Sequence, residues 1–232
     1  MSREINANMN LKAWSQQLTK IVFDEWKSKY SFWKEGFEMF YSPVCIHPKL
    51  MILTYNPGGD KSSFEHDLKR FESGDFSLPQ ENEFVTRKYR MAVKMQNFFN
   101  RHDTLLRESV TLTTLFFRSK NTKVWTKCPK QSRKEMESFC YKKVNEIIEV
   151  LQPLALLILG FKTYVNLKRH LFDRIDYETK TVGYNGNTIC YIGKWNNKPL
   201  FCIPHPTGSR IKKDDWEKIK KRFYEFSYQL ND

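Results

Sequence analysis

Apolar residues recur along this chain in two patterns, helical spacing and short unbroken runs. Leu11, Trp14, Leu18, Ile21, Val22 and Trp26 keep the three-to-four spacing of one buried face, which predicts a helix over 11–28. Residues 50–53 form a short apolar run closed by Pro57-Gly58-Gly59, the pattern of a buried strand that ends in a turn. The polar stretch 60–84, with scattered aromatics, reads as a long loop. Residues 85–100 read as a helix through Tyr89, Met91, Val93, Met95, Phe98 and Phe99. The β-branched and aromatic run 109–117 reads as a second strand. A helix over 135–151 carries Met136, Phe139, Val144, Ile147, Ile148 and Leu151 until Pro153 stops it, and 154–160 is a wholly apolar third strand. A basic helix follows at about 162–172. Two more strands, 187–195 and 198–204, lie close enough for a hairpin. The segment 214–230 places Trp216, Ile219, Phe223, Phe226 and Leu230 on one helix face.

Continuously apolar strands that alternate with helices belong to a parallel sheet covered on both faces. No internal repeat, low-complexity linker or boundary interrupts the pattern. The expectation is one domain over residues 1–232, a three-layer α/β/α fold with a mainly parallel central sheet. In such sheets the working residues gather where strands end at their carboxyl edge.

Composition narrows the function classes. With 40% hydrophobic and 15% aromatic residues the chain can build a core, which excludes a disordered protein. No apolar run reaches the length of a membrane span, and the N-terminal MSREINANMNLKAW lacks the apolar core of a signal peptide. The expected location is therefore cytoplasmic, with no membrane partner. Cys45, Cys128, Cys140, Cys190 and Cys202 are odd in number and include no CxxC pair, so they read as reduced thiols rather than zinc or iron–sulfur ligands. Neither GxGxxG nor GxxxxGK occurs, so nothing predicts a nucleotide cofactor. Charge is the strongest bulk signal. The 39 Lys and Arg residues exceed the 26 Asp and Glu residues by 13, which suits a polyanionic partner, with nucleic acid the commonest.

Two strand ends carry unusual punctuation: YNPGGD (55–60) after the first strand and PHPTGSR (204–210) after the last. Asn56 and His205 are 149 residues apart, yet a parallel sheet brings both to one edge. An asparagine amide is no base at neutral pH, but its carbonyl can hold a water. A neutral histidine opposite can hydrogen-bond to a leaving group as it becomes negative, often the largest catalytic contribution. The chemistry that fits is hydrolysis with a good anionic leaving group and little need for a strong base. Asp60 offers a carboxylate that could assist the water, or a turn residue that caps the next segment.

The pair YNPGG (55–59) and HPTG (205–208) resembles the two signature motifs of the uracil-DNA glycosylase superfamily. TLTTLFFRS (111–119) and PLALLILG (153–160) resemble its middle and later strands, so the resemblance spans about 49–210. It implies a monofunctional DNA glycosylase of that fold, active as a monomer without metal or cofactor, that flips a pyrimidine into a pocket and leaves an abasic site. Asn56 would then position the attacking water at the sugar C1′, His205 would stabilise the departing base anion, and Asp60 would be the candidate assistant. Tyr55, Gly58, Phe64 and Thr114 would form the base pocket, although Tyr55 and Phe64 suit ordinary packing equally. Gly59, Thr207, Ser209, Arg210, Lys212 and Lys213 would meet DNA. Lys218, Lys220, Lys221 and Arg222 either follow as further phosphate contacts or form a solvated helix face.

Three departures from the family pattern bear on the substrate. Thr54 replaces the usual glycine before the first motif. Thr114 stands where an asparagine often reads the uracil edge, and a hydroxyl cannot make that two-point contact. Ser209, Arg210 and Ile211 stand where an apolar wedge is usual. The lost edge-reading amide at Thr114 and the long loop expected at 60–84 lean the expectation towards a hypermodified pyrimidine, such as glucosylated hydroxymethylcytosine in phage DNA attacked by a bacterial defence enzyme. The alternatives are uracil or deaminated-base excision in repair, or an inert nucleic-acid-binding module of the same fold.

Overall fold

The computed structural model describes residues 10–59, 61–172, 175–228 and 230. Six strands among them form one sheet: β1 (Met51–Thr54), β2 (Val110–Thr113), β3 (Leu156–Leu159), β4 (Tyr177–Val182), β5 (Thr188–Trp195) and β6 (Lys198–Ile203). Their order is β2-β1-β3-β6-β5-β4. The first four in that order run parallel, and β5 and β4 close one side as an antiparallel pair. The fold is α/β with a mixed, mostly parallel sheet, and helices cover both faces.

Alternation along each parallel strand explains the two cores. Successive side chains point to opposite faces. Met51, Leu53, Leu156, Ile158, Leu200 and Cys202 enter one cluster. Leu50, Ile52, Leu157, Leu159, Phe201 and Ile203 enter the other. The first cluster is covered by residues of α1 (Leu11–Lys29), α2 (Lys61–Glu72), α6 (Thr122–Thr126), α7 (Lys130–Leu151) and α8 (Phe161–His170). The second is covered by α3 (Glu83–Thr86), α4 (Arg90–Phe99), α5 (Asp103–Arg107) and α9 (Lys213–Tyr228). Four of the five cysteines are buried and Cys45 is exposed, all as free thiols. Among the described residues no helix is long and apolar enough to cross a membrane.

Local signals set the element ends. Asn10 caps α1 by accepting from the Ala13 amide at 3.1 Å. Gln152 closes α7 in the left-handed region at φ 50, and Pro153 cannot continue the helix. The outer edge of β2 is covered by the preceding chain: Tyr41 N donates to Thr111 O, and Thr113 N to Met39 O. That cover removes an open strand edge and brings Tyr41 to the carboxyl end of the sheet.

Several expectations need correction. The loop expected over 60–84 contains α2 and the start of α3; Phe64, Leu68 and Phe71 hold helical spacing, but the surrounding charge masks it. The helix expected over 85–100 is two helices, with 87–89 extended between them. β4 escapes sequence reading because it is a solvent-exposed edge strand with no apolar run. The second strand ends at Thr113, and residues 114–117 continue as buried, irregular chain.

Candidate active site

The sheet brings the two motif turns together. β1 and β6 both flank β3 in parallel, so their carboxyl ends stand about 10 Å apart. Asn56 and His205 line one cleft of about 760 Å³ at that edge. Its wall includes Tyr55 and Gly58 from the first turn and Thr207 and Ser209 from the second.

Asn56 is held by its donor side. Its Nδ2 donates to Pro57 O at 2.9 Å and to Ser119 O at 3.2 Å. Both partners are carbonyls and can only accept, so the nitrogen must face them and Oδ1 is left as the acceptor. The segment after β2 locks the turn from behind. Ser119 N donates to Pro57 O at 3.0 Å, and Arg118 Nη1 donates to Gly58 O at 3.2 Å. Arg118 is itself fixed, with Nη2 2.9 Å from Asp67 and 3.1 Å from Glu38. Gly59 has φ +95, and a Cβ there would stand 3.0 Å from the Ser63 side chain and 3.2 Å from Arg118 Nη1. Glycine at 59 is therefore required by the turn itself. At Gly58, among the described residues and apart from its chain neighbours, nothing lies within 4 Å of where a Cβ would stand.

His205 is held by its acceptor side. The Thr207 amide donates to Nδ1 at 3.4 Å, and the Thr207 hydroxyl lies 3.2 Å from the same atom. An amide N–H can only donate, so Nδ1 is unprotonated and the neutral ring carries its proton on Nε2. Burial pushes the His205 pKa down from the ordinary histidine value, which keeps the ring neutral near pH 7. Its carbonyl accepts from the Gly208 and Ser209 amides at 3.2 and 3.1 Å, which curls the loop around it. Gly160, at φ +100 before α8, takes a backbone conformation that favours glycine, and a Cβ there would only touch His205 Cβ, at 3.5 Å.

Aromatic rings complete the cleft. Tyr41 stacks on Phe84 with centroids 5.7 Å apart, Phe84 meets Tyr89 edge-on at 6.3 Å, and all three line the cleft. Lys162 Nζ sits 4.7 Å from the Tyr55 ring centroid, a cation–π contact at the N-terminal turn of α8. Sequence reading missed Tyr41, Phe84, Phe161 and Lys162 because they come from segments with no motif. It also missed Arg118 and Ser119, although both lie inside the strand match at 111–119.

Two expected pocket residues are placed elsewhere. Thr114 is fully buried and donates its hydroxyl to Tyr55 O at 3.0 Å, so it braces the first turn from behind and does not face the cleft. Phe64 is buried among Trp26, Phe37 and Phe71, with Trp26 5.0 Å away ring to ring, so it is a core residue. Asp60 lies outside the described residues. Arg210, Lys212 and Lys213 line a second groove beside the cleft, joined to it through Ser209. Of the later cations, Lys220 and Arg222 pair with Glu217 and Glu225, and Lys218 donates to Val182 O. That half of α9 behaves as a helix face with local partners. No group of His, Cys, Asp or Glu that could hold a metal ion occurs among the described residues.

Comparison with models of known protein families gives no match, and comparison with curated proteins gives none either.

Proposed function

We propose that this chain is a monofunctional DNA glycosylase of the uracil-DNA glycosylase type, acting on a non-canonical pyrimidine. The observation that carries the reading is the opposite pinning of two polar groups in one cleft. Asn56 has its donors tied down and an acceptor left over. His205 has its acceptor tied down and its Nε2–H left over. That is what hydrolysis of a glycosidic bond needs from a protein with a good leaving group.

In this reaction the C1′–N bond breaks with its electron pair staying on the base. The negative charge spreads to the pyrimidine O2, where the neutral His205 donates from Nε2. Oδ1 of Asn56 accepts a hydrogen bond from the water that attacks the oxocarbenium-like C1′ from the opposite face. The water's second proton passes to the departed base or to solvent, since an amide does not take it. A pre-aimed donor of this kind is worth about 10²–10³ in rate. The half-buried ring of Tyr41, backed by Phe84, suits the face of a flipped base.

The base is proposed to be larger than uracil, such as a glucosylated hydroxymethylcytosine. Two features support this. The cleft volume of about 760 Å³ exceeds what a bare pyrimidine fills, and the Thr114 hydroxyl is already bonded to Tyr55 O and cannot read a base edge. The test is abasic-site formation on uracil-containing DNA, unmodified duplex and glucosylated phage DNA, with mass spectrometry of the released base. Release from the glucosylated DNA alone is expected. Release from uracil DNA alone would replace the large-base assignment, and release from none of them would remove the glycosylase reading for these bases.

A further inference from the structure

The groove that touches the cleft at Ser209 has a volume of about 800 Å³ and follows the seam between α4 and α9. Those helices pack through aromatics: Phe98 and Phe223 are 4.9 Å apart, and Phe98 and Trp216 6.1 Å. The seam floor is thus apolar, with half-buried Trp216 in it. Its walls are cationic. Arg90 and Lys94 come from α4, Arg210, Lys212 and Lys213 from the start of α9 and the loop before it. Among the described residues none of Arg90, Lys94, Arg210 and Lys213 has an acidic partner within ion-pair distance, whereas the groove's one acid, Glu217, is tied to Lys220. Four cations without such partners along one seam cost self-repulsion that an isolated chain has no reason to keep.

A second element stands over this groove. The turn between β4 and β5 holds Tyr184 at 85% exposure, the most exposed large hydrophobic side chain among the described residues. The tip is anchored: Tyr184 N donates to Asp215 Oδ1 at 3.0 Å. Lys212 Nζ lies 4.6 Å from the Tyr184 ring centroid and 3.4 Å from Asn185 Oδ1. An aromatic face is thus held out in solvent beside Lys212, one of the groove's cations. Cations that track a backbone, with aromatic faces for bases between them, are how single strands are bound.

We infer that the α4/α9 groove, with Tyr184 at its rim, is a track for a single DNA strand leading to the cleft at Ser209. The groove runs between two packed helices and carries cations from both of them. Arg90, Lys94 and Lys213 meet phosphates, and Tyr184 stacks on an unpaired base. The choice of DNA rests on the glycosylase reading; the choice of a single strand rests on the exposed Tyr184 ring beside the groove's cations, since only an unpaired base offers it a free face.

Fluorescence anisotropy tests it, with a labelled DNA strand of about 20 nucleotides, its duplex and the RNA strand of the same sequence, across about 50–200 mM salt. Arg90 and Lys94 are exposed, so their joint change to alanine leaves the fold intact. That double variant is expected to bind the DNA strand about tenfold more weakly at low salt, with a logarithmic salt slope shallower by about 1.4. Tyr184→Ala is expected to lose about fivefold at unchanged slope. Strand binding that neither change affects overturns the inference, as does tighter binding of duplex or of RNA. Base release is scored separately. Weakened strand binding in the variants of a protein that releases no base keeps the groove and removes the catalytic reading. Base release with unaltered strand binding in the variants removes the groove alone.

Discussion

The cleft and the groove meet at Ser209, yet they are built on opposite plans. In the cleft the two candidate catalytic groups are tied on one side: Asn56 to two carbonyls and His205 to Thr207, with the turn behind them held by Arg118 and Ser119. In the groove the cations of Arg90, Lys94, Arg210 and Lys213 are held by no acid among the described residues. The difference fits the two tasks proposed for them. Stabilising a short-lived charge needs donors fixed before the reaction, because reorganising them costs rate. Neutralising phosphates needs only charge at about the right place, and long side chains adapt to the strand.

The strongest way to break this comparison is to separate the two tasks. Asn56→Ala removes the acceptor for the water and leaves the groove intact. Base release is expected to fall by about 10²–10³ or more, while anisotropy with the single strand stays within twofold of the parent, roughly the level at which a contact worth under 0.5 kcal/mol is lost. If strand affinity falls along with turnover, the cleft is a binding element and the two regions are one.

That division also explains what was legible in the sequence. The turns at 55–59 and 204–210 could be read because a strand end followed by Asn-Pro-Gly-Gly or Pro-His-Pro constrains the backbone locally, and a parallel sheet then brings the ends together. The four parallel strands could be read for the same reason, as apolar runs. Arg118 could not be given its place behind Gly58, because an arginine after a strand looks like any surface cation until Glu38 and Asp67 are seen around it. Tyr41 and Phe84 reach the cleft only because the chain before β1 covers the edge of β2, a tertiary event with no local signature. Thr114 was misplaced in a different way. The strand match put it near the site, but β2 ends at Thr113 and the irregular chain beyond it turns Thr114 inward, where its hydroxyl braces Tyr55 O. The groove was half legible: Lys212 and Lys213 follow the second motif, while Arg90, Lys94 and Tyr184 come from elements distant in sequence.

The cleft's rigidity has an energetic signature that the groove lacks. Burial lifts the Glu38 carboxyl to about 7, against the opposing pull of Arg118, with Glu83 and Asp67 adding to the rise. A folded-state value above the unfolded one means that the protonated acid is the favoured buried form. Its contribution to stability is fully present below about pH 4.5 and is lost as pH rises through about 7. Glu38→Gln imitates the protonated form, and Arg118 keeps Asp67 as a partner. The variant is expected to be more stable than the parent by about 2 kcal/mol at pH 8, with the difference closing towards pH 5, as read from urea midpoints. A difference that does not vary with pH would mean that Glu38 stays charged and that the turn's support is an ordinary ion pair.

The smallest effect sharpens the boundary between brace and pocket. Tyr55 O accepts from both the Thr114 hydroxyl, at 3.0 Å, and the Leu115 amide, at 2.8 Å. Thr114→Val removes one of these bonds while nearly preserving volume, and the carbonyl keeps its amide partner. The cost in stability is expected to be about 1 kcal/mol, the usual net worth of one buried hydrogen bond. The identity of the released base is expected not to change, since the hydroxyl lies behind the turn and has no exposure to the cleft. A shift in base preference in this variant would mean that the β2 end moves when DNA is bound and presents Thr114 to the base after all. The tie between Thr114 and Tyr55 would then belong to the free protein only, and the cleft would share the adaptability that now distinguishes the groove.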